Sequence, residues 1–347
     1  MRLGKCMQIG LLAVGMIAAQ ATAENKAQIA IQPTEISQQD VEQVQSSLQV
    51  KNRVSALRHY YDNSDFALLE THLSPLPPLQ QEAVRSEMID HAIDYAEKPN
   101  GLDQAKADWL EAQAARMPVF NVVEQGDGYL VTKSAFHYGA KARSLAIRWQ
   151  QQLLAQQMVE QAERGELQLS QWLTGDIQAQ ATRRDIFLAQ LPELSQPAVD
   201  ILAEQFTSDS KLLWLPDNAV IAAIAAASGD EGVYHLLWRR RSDQYSLAEL
   251  NRLAGIAPQP DATKQLMAAT INPTLKLQAY RALITLKPLP VAARDFLSDK
   301  LSEVDDGELV ATELARSGYL DWLEQLASVS RSQVLQKNFR SAVAKSP

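Results

Sequence analysis

Apolar residues recur along the second half of the chain as two coupled series. Leu188, Ala189 and Leu191 are followed by Ala223, Ile224 and Ala226, then Leu253, Ala254 and Ile256, then Leu283, Ile284 and Leu286, in steps of 35, 30 and 30 residues. A second series, Ile201-Leu202, Leu236-Leu237, Leu266-Met267 and Phe296-Leu297, advances by the same steps and always lies 13 residues after the first. A unit of about 30 residues with two helix-length apolar stretches cannot bury both its faces alone, so neighbouring units must stack over a shared core. Pro192 and Pro197, Gly229 and Gly232, Pro258 and Pro260, and Pro288 and Pro290 fall between the paired clusters, where a chain reversal is needed. Helical hairpins are predicted from Thr182 to Leu301. Ala219 to Ala227 is apolar on all sides, which predicts a helix buried between two neighbours.

The N-terminal third reads as helices too. Ser37 and Asp40 form a capping-box-like start to a helix that runs through about Tyr61. Ser64 and Asp65 can cap a second helix, which stops before Pro75, Pro77 and Pro78. Val84, Met88, Ile89, Ala92 and Ala96 keep helical spacing, and a further helix is expected from Asp103 to about Arg116. The exception is Val119 to Phe136. There Val119, Phe120, Val122 and Val123, the turn Gly126-Asp127-Gly128, and Tyr129, Leu130, Val131 and Thr132 give a β-hairpin signature. A long helix from about Ala140 to Arg164 follows, with Gln150, Gln151, Gln152, Gln156 and Gln157 on an expected exposed face.

Leu188 to Phe206 and Leu283 to Leu301, with Leu253 to Ile271 as a looser copy, resemble the short HEAT-like helical repeats. The resemblance covers the C-terminal half. It implies an all-α fold, a right-handed α-solenoid of HEAT-like helical hairpins with an inserted β-hairpin, and a surface that binds other macromolecules. Fold alone does not assign a function.

Arg2 and Lys5, the apolar run Ile9 to Ala19, and Ala21-Thr22-Ala23 read as a secretory signal peptide, which predicts a periplasmic or secreted protein. The expected organisation is therefore a signal peptide at 1–23, a flexible lead-in at 24–36, an N-terminal helical segment at 37–117, the hairpin at 118–137, the long helix plus repeats at 138–330, and a C-terminal tail at 331–347. Cys6, the one cysteine, lies in the leader, so stability of the exported chain must come from apolar burial rather than disulfides. Losing Arg2 and Lys5 takes Lys plus Arg from 33 to 31 against 41 Asp plus Glu, a formal net charge of −10. Such a surface disfavours nucleic acid as a partner, and no apolar stretch after the leader is long enough to span a bilayer.

Catalytic signatures are sparse. The chain has no phosphate-cradling Gly-rich loop, no His-Glu-x-x-His, no nucleophile elbow and no paired-cysteine metal site, and neither cofactor nor metal is expected. Ser208-Asp209-Ser210-Lys211 matches a loose Ser-x-x-Lys pattern without its supporting motifs. His91 can pair with Glu87 or Asp94 across a helical turn. Glu303, Asp305, Asp306 and Glu308 crowd one turn but lack the ordered spacing of a calcium loop.

The most suggestive polar feature is Trp238-Arg239-Arg240-Arg241, joined by Arg183 and Arg184 in an earlier repeat and by Arg252 and Lys264 in the next. In an acidic chain this is a basic island, and Trp and Arg are the side chains most enriched at binding hot spots. The same residues would also suit a packed tryptophan and a cation-rich helix C-terminus. The functional reading is an exported, non-catalytic protein-interaction scaffold or adaptor that binds an acidic segment or an anionic envelope component on its repeat surface. The alternative is a hydrolase of an envelope polymer, with carboxylates such as Asp94 or Glu97 as acid and base, which would require two carboxylates facing each other across a cleft.

Overall fold

The computed structural model describes residues 33–125, 129–207 and 214–345. The expected signal peptide at 1–23, the Gly126-Asp127-Gly128 turn and the Ser208-Asp209-Ser210-Lys211 segment lie outside the described residues. The chain is mostly helical with one small sheet, and it divides into two compact units, one ending at Ala146 and one beginning at Ile147.

The first unit opens with strand β1 (Thr34–Ile36), followed by helices α1 (Gln38–Ser46), α2 (Leu48–Asp62), α3 (Phe66–Leu73), α4 (Pro78–Ala96) and α5 (Gln104–Ala114), then β2 (Phe120–Gln125) and β3 (Leu130–Ser134). The predicted capping box is present: Ser37 Oγ accepts from the Asp40 amide at 3.1 Å, and the Asp40 carboxylate accepts from the Ser37 amide at 3.2 Å. Ser47 and Asp103 cap α2 and α5 by accepting from the Val50 and Lys106 amides. Helix α4 packs on α1 and α2, and its Val84, Met88, Ile89 and Ala92 enter a core with Val54, Leu57, Tyr61 and Leu110.

The predicted hairpin forms, with β2 and β3 antiparallel. It is not isolated, because β1 pairs parallel to β2 in the register Thr34 to Phe120. The end of the segment read as a flexible lead-in is thus a sheet strand. Its three residues carry no readable alternation, and their conformation is set by the backbone of β2, far along the chain. Two strands alone are marginal in water, and the third strand together with buried Val122 and Phe136 ties the sheet to the helices.

Helix α6 (Tyr138–Glu163) begins in the first unit, where Tyr138, Ala142, Leu145 and Ala146 join its core, and its later residues Met158 and Ala162 belong to the core of the second. Gln150, Gln151, Gln152, Gln156 and Gln157 are exposed, as their sequence predicts.

The second unit continues with α7 (Leu169–Trp172), α8 (Ile177–Gln190), a 3-10 turn at Leu191–Glu193, α9 (Gln196–Thr207), α10 (Asn218–Ser228), α11 (Glu231–Arg239), α12 (Gln244–Ile256), α13 (Pro260–Ala269), α14 (Lys276–Ile284), α15 (Val291–Leu301), α16 (Gly307–Arg316), α17 (Leu320–Val329) and α18 (Gln333–Lys345). The first apolar series falls on α8, α10, α12 and α14, apart from Leu191 in the 3-10 turn and Leu286 just past α14, and the second on α9, α11, α13 and α15. Leu202, Leu237, Leu266 and Leu297 from the second series are all buried. Several helices of this unit meet neighbours on both sides in the chain: α10 touches α9, α11 and α12, while α13 touches α11, α12, α14 and α15. Helix α10 carries the Ala219 to Ala227 run and buries Val220, Ile221, Ile224 and Ala225. Gly229 closes it in the left-handed conformation, at φ 70°, where a side chain would be strained. The segment read as a C-terminal tail is instead helix α18, which packs on α16 and α17 and buries Leu335, Asn338 and Ala342. Among the described residues no helix is long and apolar enough to cross a membrane.

Candidate binding site

The basic island separates into parts once its side chains are placed. Trp238 is buried, with 1% of its surface accessible. It stacks on Tyr234, with ring centroids 5.9 Å apart, and its indole N–H donates to Gln265 Oε1 at 3.4 Å. The expected surface hot spot at this position is therefore corrected: position 238 lies on the same face of α11 as Tyr234, one turn earlier, and that face is turned into the core.

Four of the cations are already engaged. Arg183 donates to the carbonyls of Trp172 and Thr174 at 3.2 and 2.9 Å and lies over the Trp172 ring. Arg184 pairs with Asp185 at 2.8 Å and with Asp217 at 3.3 Å. Arg252 forks onto Glu249 with two bonds of 2.7 Å, and the same carboxylate accepts from Tyr234 Oη at 2.6 Å. Burial and the hydrogen bond to Glu249 push the Tyr234 phenol up. Lys264 pairs with Glu231 at the start of α11, about 12 Å of helix rise from Arg239. Arg252 thus ties α12 to α11 through Glu249 and Tyr234, Lys264 ties α13 to α11, and neither extends the island.

Arg239, Arg240 and Arg241 behave differently. Arg239 and Arg241 are exposed, and none of the three has a carboxylate partner among the described residues. Arg239 lies 3.3 Å from His235 Nε2, and Arg240 Nε donates to Asn218 Oδ1 at 2.8 Å. Cations at a helix C-terminus are ordinarily accounted for by the carbonyls left over there. Here asparagine amides meet those carbonyls: Asn272 Nδ2 donates to Trp238 O and Arg240 O at 3.0 and 2.9 Å, and Asn218 Nδ2 to Arg241 O at 3.0 Å. Arg239 and Arg241 are therefore not needed as caps for this helix end, and both are exposed.

Asn218 also joins the two halves of the island that do come together. It opens α10 next to Asp217, which caps that helix by accepting from the Val220 amide and receives Arg184. Beside this junction is a cleft of about 300 Å³ with Leu173, Ile177, Trp214 and Leu215 on its apolar side and Arg184 and Asp217 on its polar side. Ile177 is 89% exposed. Neither Trp214 nor Ile177 belongs to the island as it is read from the sequence. Their signal, two large apolar residues beside helix-capping aspartates, is indistinguishable in sequence from ordinary helix starts.

Comparison of the chain with protein-family models, with curated proteins and with solved structures gives no match.

The other expected sites resolve into local contacts. His91 bonds Asp62 of α2 at 2.7 Å, rather than pairing with Glu87 or Asp94 of its own helix. Asp94 and Glu97 are both exposed on the end of α4, and neither lines the cleft beside Arg184 or a second cleft between α2 and α4. The acidic turn disperses its carboxylates. Asp306 takes Lys276 at 2.6 Å and Tyr280 Oη at 2.5 Å, Glu303 takes Lys300, and Glu308 takes Lys345 and Ser341.

Proposed function

We propose that this chain is an exported, non-catalytic interaction scaffold whose second unit is a HEAT-like α-solenoid, and that it binds an acidic partner segment at the corner formed by Arg239, Arg240 and Arg241. The run of next-but-one contacts, α9 with α11, α10 with α12, α11 with α13, α12 with α14, α13 with α15 and α14 with α16, supports the solenoid reading. The observation that carries the binding reading is the contrast within the island. Arg184, Arg252 and Lys264 are each held by a carboxylate, whereas Arg239 and Arg241 are exposed and their helix end is capped by Asn218 and Asn272. Exposed guanidinium groups offer paired donors that match carboxylates in geometry. The neighbouring Trp214 and Ile177 would accept an apolar side chain of the same segment.

The test is in-cell crosslinking followed by purification of the mature chain, with wild type set against an Arg239→Glu, Arg241→Glu double variant. Neither residue is held in a carboxylate pair, so the variant is expected to keep the wild-type circular dichroism and melting behaviour. A specific partner captured by wild type and lost by the folded variant supports the reading. Equal capture by both proteins, or none by either, removes it.

A further inference from the structure

The second cleft, of about 460 Å³, lies in the first unit between α2 and α4. Its polar wall is Gln49, Asn52 and Arg53 from α2 and Gln80 from α4, and Leu76 and Val84 contribute its apolar floor. Gln49, Asn52 and Arg53 share one helix face by their spacing of three and four residues. Between Glu42 and Asp62 the chain has no acidic residue but carries Lys51, Arg53 and Arg58, an unusual run in a protein with 41 acidic and 33 basic side chains. Arg85, Lys106, Arg116, Lys133 and Lys141 of the same unit are all in ion pairs. Arg53 is half-buried in the cleft and has no carboxylate partner among the described residues.

The amides beside it have spare capacity. Gln80 Nε2 donates to Gln49 Oε1 at 3.0 Å, which leaves the Gln49 amine and the Gln80 carbonyl open. Asn52 is exposed, and its amide has no side-chain bond among the described residues. Amides both donate and accept, as hydroxyls do, so a row of them complements a polyol. A guanidinium complements one carboxylate or phosphate. The apolar floor suits the C–H face of a ring.

We propose that this cleft binds a hexose carrying one anionic group, with Arg53 on the carboxylate or phosphate and Gln49, Asn52 and Gln80 on the hydroxyls. The site lies in the first unit and is independent of the partner corner at Arg239 to Arg241. Calorimetric titration of the full chain with galacturonate, glucose 6-phosphate, glucose and inorganic phosphate tests it. The two acidic sugars distinguish a carboxylate from a phosphate source, and binding of either, about tenfold or more tighter than glucose and than phosphate, is expected. Arg53→Gln should weaken that binding about tenfold, whereas Arg58→Gln, outside the cleft, should leave it unchanged. Should Arg53→Gln not fold, Asn52→Ala and Gln80→Ala take its place, and their loss of affinity supports the site. No preference for an acidic sugar, phosphate binding as tightly as the sugars, tighter binding of an acidic peptide, or undiminished binding by the folded cleft variants would each overturn the proposal.

Discussion

Glu82 is buried and Glu70 half-buried, and their surroundings push them in opposite directions. Burial alone would raise Glu70, but the Arg85 fork at 2.7 and 2.6 Å, Arg116 at 2.9 Å and the Trp109 indole at 3.1 Å outweigh it and hold the carboxyl below its usual range. Glu82 is raised by burial, which its bonds to the Val119 amide at 2.6 Å and to Tyr138 do not cancel, and its Oε2 is a buried atom without a partner. Removing Glu70 would leave Arg85, 2% accessible, as an uncompensated buried charge. Glu70→Ala is therefore expected to lower unfolding free energy by about 3 kcal/mol in urea titrations. The pH dependences differ in sign. The Glu70 contribution is present above its unfolded-state value and is lost as pH falls through the lowered folded value. The Glu82 contribution is present below the ordinary 4.5 and is lost as pH rises through the raised folded value. A pH series of urea midpoints should thus show Glu82→Gln gaining on wild type as pH rises from 4.5 through the raised folded value and no further above it. Parallel curves would contradict the assignment.

Among the elements, the helix ends of the second unit depend on side chains from distant parts of the chain. Asp243 caps α12 locally, accepting from the Tyr245 and Ser246 amides, and Asp243→Ala should cost about 1 kcal/mol. Asn272, 4% accessible, caps α11 from the loop after α13. Asn272→Ala would orphan two carbonyls and is expected to cost about 1–3 kcal/mol by chemical denaturation. The first kind of cap is legible in sequence, as Ser37 and Asp40 show, because both partners lie within one turn. The second is not, since nothing near Asn272 indicates which carbonyls it will meet. The same limit hid β1: Thr34–Ile36 becomes a strand only because Phe120 to Val122 supplies the ladder.

For the whole molecule, the proposed solenoid makes a prediction that a single rounded core does not. Leu237→Ala, at a fully buried position in α11, should cost about 2–5 kcal/mol. In a stack stabilised by nearest neighbours, hydrogen exchange should then rise most in α9 to α13 and fade toward α16 to α18. A uniform rise across the second unit would count against the solenoid.

The apolar periods at Leu188, Leu253 and Leu283, the breakers between them, the cap at Ser37 and the hairpin around Val122 and Val131 were determined by the sequence itself. Each expresses a preference that operates within one helix turn, one reversal or one strand pair. Which cations of the island face water was decided only by tertiary structure. Trp238 and Arg239 are adjacent in sequence, yet one is buried against Tyr234 and the other is exposed. Arg252 and Lys264 are as basic as Arg241, yet each meets a carboxylate. Charge is written in the residue, but whether it is neutralised depends on side chains brought close by packing, 33 residues away along the chain for Arg184 and Lys264 and 46 for Arg116.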